Sequence, residues 1–115
     1  MTIRGTAGSP GVLSDFASVV ANLEDARRQR SGGIIVTDKV GPEWLDVLVR
    51  CSAVVTRYGG VASHAATLCR ELKRPAVVGI EGAIEDIKSG DLLHVDGDQG
   101  IVRIVKQESS TNESR

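Results

Sequence analysis

The decisive stretch runs from Ala53 to Gly79, AVVTRYGGVASHAATLCRELKRPAVVG. Two short β-branched runs, Ala53–Thr56 and Ala76–Val78, flank a segment of strong helix formers from Ala65 to Leu72. Gly59-Gly60 breaks the chain after the first run, Ser63 is a good N-cap, and Pro75 stops the helix before the second run. Strand, helix and strand in that order argue for a mixed α/β domain with some parallel pairing. No G-x-G-x-x-G follows a strand and no G-x-x-x-x-G-K-S/T exists, so the pattern is not a dinucleotide- or P-loop fold.

Outward from that core, Ile34-Ile35-Val36 reads as another buried strand. Gly41-Pro42 opens a helical stretch whose apolar face is Trp44, Leu45, Leu48 and Val49. Leu92–Val95 and Ile101–Val105 read as strands joined by the turn Asp96-Gly97-Asp98-Gln99-Gly100. Glu81 to Ile87 suits one or two helical turns. Residues 12–23 support two readings: Phe16, Val19, Val20 and Leu23 have helical spacing, while Val12, Ser14, Phe16, Ser18 and Val20 alternate as in a strand. Glu24 to Arg30 is charged and helix-compatible, ended by Ser31-Gly32-Gly33. Residues 1–11 read as a Gly- and Ser-rich lead closed by the turn Ser9-Pro10-Gly11. The domain is expected over residues 1–105, with 106–115 a disordered polar tail.

The 115 residues suffice for one domain. Lys and Arg total 14 against 15 Asp and Glu, and aromatics are only Phe16, Trp44 and Tyr58. Neither a basic excess nor stacking groups point to nucleic acid or an anionic membrane. No apolar run approaches the roughly 20 residues of a membrane span, and the N-terminus lacks a secretory signal. Cys51 and Cys69 form no C-x-x-C pair and read as two reduced, half-buried thiols of a cytoplasmic protein. With only His64 and His94 besides, no protein-bound metal site is expected.

Chemistry concentrates where the helix starts. Helix N-termini carry unpaired N–H groups and a partial positive charge, which suits an anion, phosphate above all. A positive helix end disfavours a cationic imidazole there, and the neutral ring has a lone pair that can act as a nucleophile. As a lone histidine at a helix start, His64 needs no chemistry at all; the surrounding string changes that reading.

Tyr58 to Gly79, with GG-x-x-S-H-A-A followed by R-E and P-A-V-V-G, resembles the phosphohistidine motif of the phosphoenolpyruvate-utilising enzymes. That family includes phosphoenolpyruvate synthase, pyruvate phosphate dikinase, Enzyme I of the sugar phosphotransferase system and rifampicin phosphotransferase. Gly8-Ser9-Pro10-Gly11 resembles the start of the family's mobile domain. Ile34 to Asp38 with Pro42-Glu43-Trp44 resembles its next strand and turn, and Leu92 to Gly100 its closing hairpin. The likeness covers roughly residues 5–105.

The resemblance implies a three-layer β/β/α swivelling domain, with residues 12–22 as a strand and a short helix only after Leu23. It implies that His64 takes a phosphoryl group at a nucleotide (ATP) site and delivers it at a phosphoenolpyruvate/pyruvate or other acceptor site. Those sites would lie on partner domains or subunits, with Mg2+ bound there and no cofactor held by this chain. Alone, the chain would turn nothing over. Ser63, Gly60, Gly59, Arg57 and Thr67 are the candidate phosphate-supporting residues. Capping is the other reading of Ser63, a solvated surface charge that of Arg57. Arg70, about 240° around the helix from His64, should point away from it, and Glu71 lies two turns off, about 10 Å; both read as surface or docking salt bridges. His94 reads as structural or exposed, and Asp96 and Asp98 as turn residues.

Two positions depart from the family pattern. Val40 stands where many members have a threonine whose hydroxyl can support the histidine, and Cys69 where a small apolar residue is usual. Val40 favours an alternative, a non-catalytic docking or regulatory module with an unphosphorylated His64. Gly8–Gly11 lies within about ten residues of Met1, which suits both a separately encoded subunit and a domain of a larger enzyme.

Overall fold

Eight strands and three short helices make up the computed structural model, which describes residues 1–80 and 83–105. The strands are β1 (Thr2–Arg4), β2 (Thr6–Ser9), β3 (Val12–Val19), β4 (Ile34–Thr37), β5 (Ala53–Thr56), β6 (Ala76–Val78), β7 (Leu92–Asp96) and β8 (Ile101–Val105). The helices are α1 (Leu23–Arg27), α2 (Leu45–Leu48) and α3 (His64–Leu72), with 3-10 turns at Pro42–Trp44 and Ala83–Asp86. The strand order is β1-β8-β7-β3-β4-β5-β6-β2. The long strand β3 belongs to two half-sheets: Val12–Phe16 pairs antiparallel with β7, and Ala17–Val19 pairs parallel with β4.

The β/β/α layering follows from the side-chain period of two. Along β4 to β6, Ile34, Val36, Ala53, Val55 and Val77 point one way and join Leu93, Val95 and Val102 of the antiparallel half-sheet in one core. Ile35, Val54, Ala76 and Val78 point the other way and meet Trp44, Leu48, Ala65 and Cys69 of the helical layer. Strands buried on both faces lose the alternation of half-exposed strands, so β4, β5 and β6 read as continuous apolar runs. Leu48 is fully buried, and truncating such a leucine to alanine typically costs about 2–5 kcal/mol.

The antiparallel half-sheet keeps its outer face in water. Val12, Ser14 and Phe16 alternate outward with Leu13, Asp15 and Ala17, which settles residues 12–19 as strand. Phe16 and Val19, two members of the helical spacing, are exposed. The strand stops at Val19, short of residue 22, because Asn22 caps α1: its side chain accepts the Asp25 N–H at 2.8 Å.

Two expectations need correction. The Gly- and Ser-rich lead over residues 1–11, read from the sequence with a closing turn and no strand, carries two: β1 adds to the edge at β8, and β2 pairs antiparallel with β6. Their partners lie far away in sequence, and only Ile3 of β1 is buried, so no local apolar period announces them. The cysteines are fully buried rather than half-buried. Burial pushes the Cys51 thiol up to about 11 and the Cys69 thiol up to about 12, so neither is a ready nucleophile. The segment 106–115 lies outside the described residues.

Candidate functional site

The segment from Arg57 to Ser63 leaves the C-terminal end of β5 and turns into α3. It is pinned to the end of β4: the Arg57 N–H donates to the Thr37 carbonyl (3.1 Å) and the Tyr58 N–H to the Asp38 carbonyl (2.9 Å). The buried Thr56 hydroxyl donates to the Tyr58 carbonyl at 2.8 Å. Gly59 has φ +119° and Gly79 φ +63°, and a Cβ on Gly79 would stand 2.6 Å from the Gly59 carbonyl oxygen. Glycine at 79 therefore lets the chain leaving β6 pass against the loop.

Ser63 closes the loop and starts the helix. Its backbone is extended and its hydroxyl oxygen accepts the Ala66 N–H at 3.3 Å. The same hydroxyl donates to the Gly60 carbonyl at 2.8 Å, as does the Ser63 N–H at 3.0 Å. Ser63 is thus the helix cap in this structure. At the far end Lys73 takes a left-handed φ of 60° and Arg74 N–H returns to the Cys69 carbonyl at 2.9 Å, ending α3 before Pro75.

His64 is the first residue of α3 and is exposed. Its ring has no hydrogen-bond partner among the described residues. It lines a cleft of about 560 Å³ whose other walls are the turn after β3, with Asn22, and the segment after β4, with Asp38, Lys39, Val40, Glu43 and Trp44. Val40, only 7% exposed, packs into the helical-layer core beside Trp44. Of His64 and the candidate phosphate-supporting residues Ser63, Gly60, Gly59, Arg57 and Thr67, only His64 lines this cleft. Gly59, Gly60 and Ser63 shape its loop. Thr67 lies one turn on, its hydroxyl accepting from Arg70 at 3.4 Å.

Arg57 faces elsewhere. Its Nε donates to Asp38 Oδ1 at 3.1 Å and its Nη1 lies 2.9 Å from Glu85 Oε2. Hydrogen bonds to Asp38 and Glu85 raise the Arg57 pKa further. Glu85 is held below the usual carboxylate range by its own backbone N–H and by Arg57. The three side chains line a second cleft of about 550 Å³, and Asp38, Thr37 and Ala21 border both clefts. Sequence reading selected Arg57 but not Asp38 or Glu85. Only the paired ends of β4 and β5 bring Asp38 beside it.

Arg70 points away from His64, as the helix spacing requires. Its Nη1 donates to the Gly8 carbonyl at 2.7 Å, tying α3 to β2, and it has no ion pair among the described residues. His94 sits in the β3–β7 ladder opposite Ser14, its Nδ1 3.0 Å from the Ser14 hydroxyl. Asp96 accepts the N–H groups of Asp98 and Gln99, both at 3.0 Å, a turn role. Among the described residues no group of three or more His, Cys, Asp or Glu side chains could hold a metal ion. No described helix is long and apolar enough to cross a membrane.

Residues 29–100 match the family model of the PEP-utilising enzyme, mobile domain. The chain belongs to that mobile-domain family. It is 41% identical over 101 residues to a phosphoenolpyruvate synthase of Aeropyrum pernix, covering 87% of this chain and 12% of the relative. It is 39% identical over 102 residues to a rifampicin phosphotransferase of Bacillus subtilis, covering 89% of this chain and 12% of the relative. The mobile domain thus spans about an eighth of these transferases. The solution structure of an Enzyme I protein superposes with a TM-score of 0.61 at 29% identity, over 74% of this chain and 35% of that one. An aconitase X structure from Thermococcus kodakaraensis reaches 0.72 at 17% identity, over 92% and 99% of the two chains, and shares the fold.

Proposed function

We propose that this mobile domain is a phosphohistidine carrier in which His64 receives a phosphoryl group at one site and yields it at another. The observation that carries the reading is the exposed, unpartnered His64 ring at the first turn of a nine-residue helix, open to a cleft, within a chain of this family. A lone pair on a ring nitrogen forms the N–P bond while the donor's P–O bond breaks, its electron pair staying on the leaving oxygen. Delivery reverses this: the acceptor oxygen attacks phosphorus and the electron pair of the N–P bond returns to the ring. Phosphoryl transfer depends mainly on positioning and charge stabilisation. This chain supplies the nucleophile, the α3 N-terminus and the loop that Gly59, Gly60 and Ser63 hold. Partner domains would supply ATP or phosphoenolpyruvate, Mg2+ and the acceptor; pyruvate, water, a sugar-transport carrier and an antibiotic hydroxyl all fit the family. The chain alone would not turn over substrate.

Incubation with a nucleotide- or phosphoenolpyruvate-binding partner and labelled donor should give an acid-labile, base-stable phosphate on the peptide carrying His64. His64→Ala should lose that label entirely, and His94→Ala should keep it. Equal labelling of His64→Ala and wild type would remove the carrier reading and leave a docking module.

A further inference from the structure

We infer that Arg57 is a positioning residue that neutralises Asp38 at the rim of the His64 cleft, so that an anion can approach the histidine. The inference rests on the carrier reading, and it concerns a charge arrangement that the sequence motif does not contain. Asp38 borders the His64 cleft on one side and the neighbouring cleft on the other. Its carboxylate is turned onto the Arg57 Nε at 3.1 Å. Arg57 is the less exposed partner, its side chain 27% accessible against 67% for Asp38, and its far end is fixed by Glu85 at 2.9 Å. Glu85 comes from the 3-10 turn Ala83–Asp86, so the clasp joins three separate segments of chain.

The charges around His64 show why this matters. The cleft wall carries Asp38, Lys39 and Glu43, one cation against two carboxylates. A phosphoryl donor approaching His64 is itself anionic. With Arg57 in place, one of the two carboxylates already has a counter-charge. Without it, Asp38 is free to face the cleft and Glu85 loses its partner. The guanidinium need not touch the phosphate: it lines the other cleft and acts through Asp38.

A chemical donor tests this on the full chain without any partner. Potassium phosphoramidate phosphorylates exposed histidine: the imidazole nitrogen forms the N–P bond and ammonia leaves. Diethylpyrocarbonate acylates the same ring but is uncharged. The rate at the His64 peptide is read by mass spectrometry, with His94 as internal reference. Arg57→Ala should slow phosphoramidate at His64 by about two- to threefold at low salt, the order of effect of one uncompensated unit charge acting through a water-filled cleft. The slowing should vanish near 1 M salt, where the screening length is about 3 Å. The rate with diethylpyrocarbonate should not change. Arg57→Lys should recover part of the loss, and Asp38→Asn combined with Arg57→Ala should recover most of it.

Equal slowing with both reagents, slowing that salt leaves untouched, or no slowing at all would each overturn the inference. The first two would mean that Arg57 only shapes the loop. The carrier reading fails separately, if the cognate donor and partner leave His64 unlabelled while the phosphoramidate difference persists.

Discussion

The two histidines of this domain sit in opposite kinds of structure. His94 lies within a strand, half-buried, with Ser14 across the ladder at 3.0 Å and Arg103 on its other side. His64 begins a helix beyond two glycines, exposed, with no hydrogen bond to its ring among the described residues. Regular pairing fixes the first ring and occupies one of its nitrogens. The second is held only through its backbone, by a loop pinned at Arg57 and Tyr58 to the end of β4 and at Ser63 to the Gly60 carbonyl. The difference shows how a fold keeps a nucleophile available: rigidity is placed in the loop and cap, and the ring is left without a protein partner.

If the loop is the rigid part, backbone changes there should do more than side-chain changes at His94. Gly79→Ala is the sharpest test. It places a Cβ 2.6 Å from the Gly59 carbonyl oxygen at φ +63°, and backbone does not yield cheaply. A loss of roughly 2–3 kcal/mol in urea unfolding is expected, with amide shifts concentrated from Gly59 to His64. An unchanged unfolding midpoint would show that the close passage of the two segments does not constrain the loop.

The paired serines give a smaller contrast. Ser63→Ala removes the α3 cap and the bond to Gly60, and should lower stability by about 1 kcal/mol. Ser14→Ala removes only the exposed hydroxyl beside His94 and should stay within about 0.5 kcal/mol of wild type. Parallel urea titrations decide between them. If Ser14→Ala proved the more damaging, His94 and not His64 would sit on the more tightly organised element.

Much of this arrangement was legible in the sequence because it is local. The doubly buried strands announce themselves as the apolar runs Ile34–Val36, Ala53–Val55 and Ala76–Val78. The turn, cap and helix at Gly59, Ser63 and His64 are contiguous. What stayed hidden depends on distant pairing. β1 and β2 owe their existence to β8 and β6, and small residues such as Ala7 and Gly8 carry no strand period. The Arg57 clasp has the same cause. Asp38 and Glu85 are unremarkable charges until the β4–β5 ladder and the turn after β6 bring them to one guanidinium.

The smallest effect concerns acid, and it should separate β3 from the start of α3. Asp15 follows Ser14 on β3 but faces the other side of the strand, where it ties β3 to the starts of β4 and β5: it accepts from the Ser52 hydroxyl at 2.7 Å, the Phe16 N–H at 2.7 Å and the Gly33 N–H at 3.2 Å. The Ser52 bond, then the two N–H groups, hold its carboxyl below the usual carboxylate range. A depressed folded-state pKa contributes stability that is fully present above the unfolded value. That contribution is lost as pH falls from there through the lower folded value. Urea midpoints measured between about pH 6 and pH 2 should therefore fall less steeply at the acid end for Asp15→Asn than for wild type. Amide exchange should rise first at Gly33 and Phe16, before the amides of Ser63 to Ala66, whose cap is a neutral hydroxyl with no titration in this range. Simultaneous loosening of both regions would mean that acid acts on the domain as a whole and not through the Asp15 tie between β3 and the starts of β4 and β5.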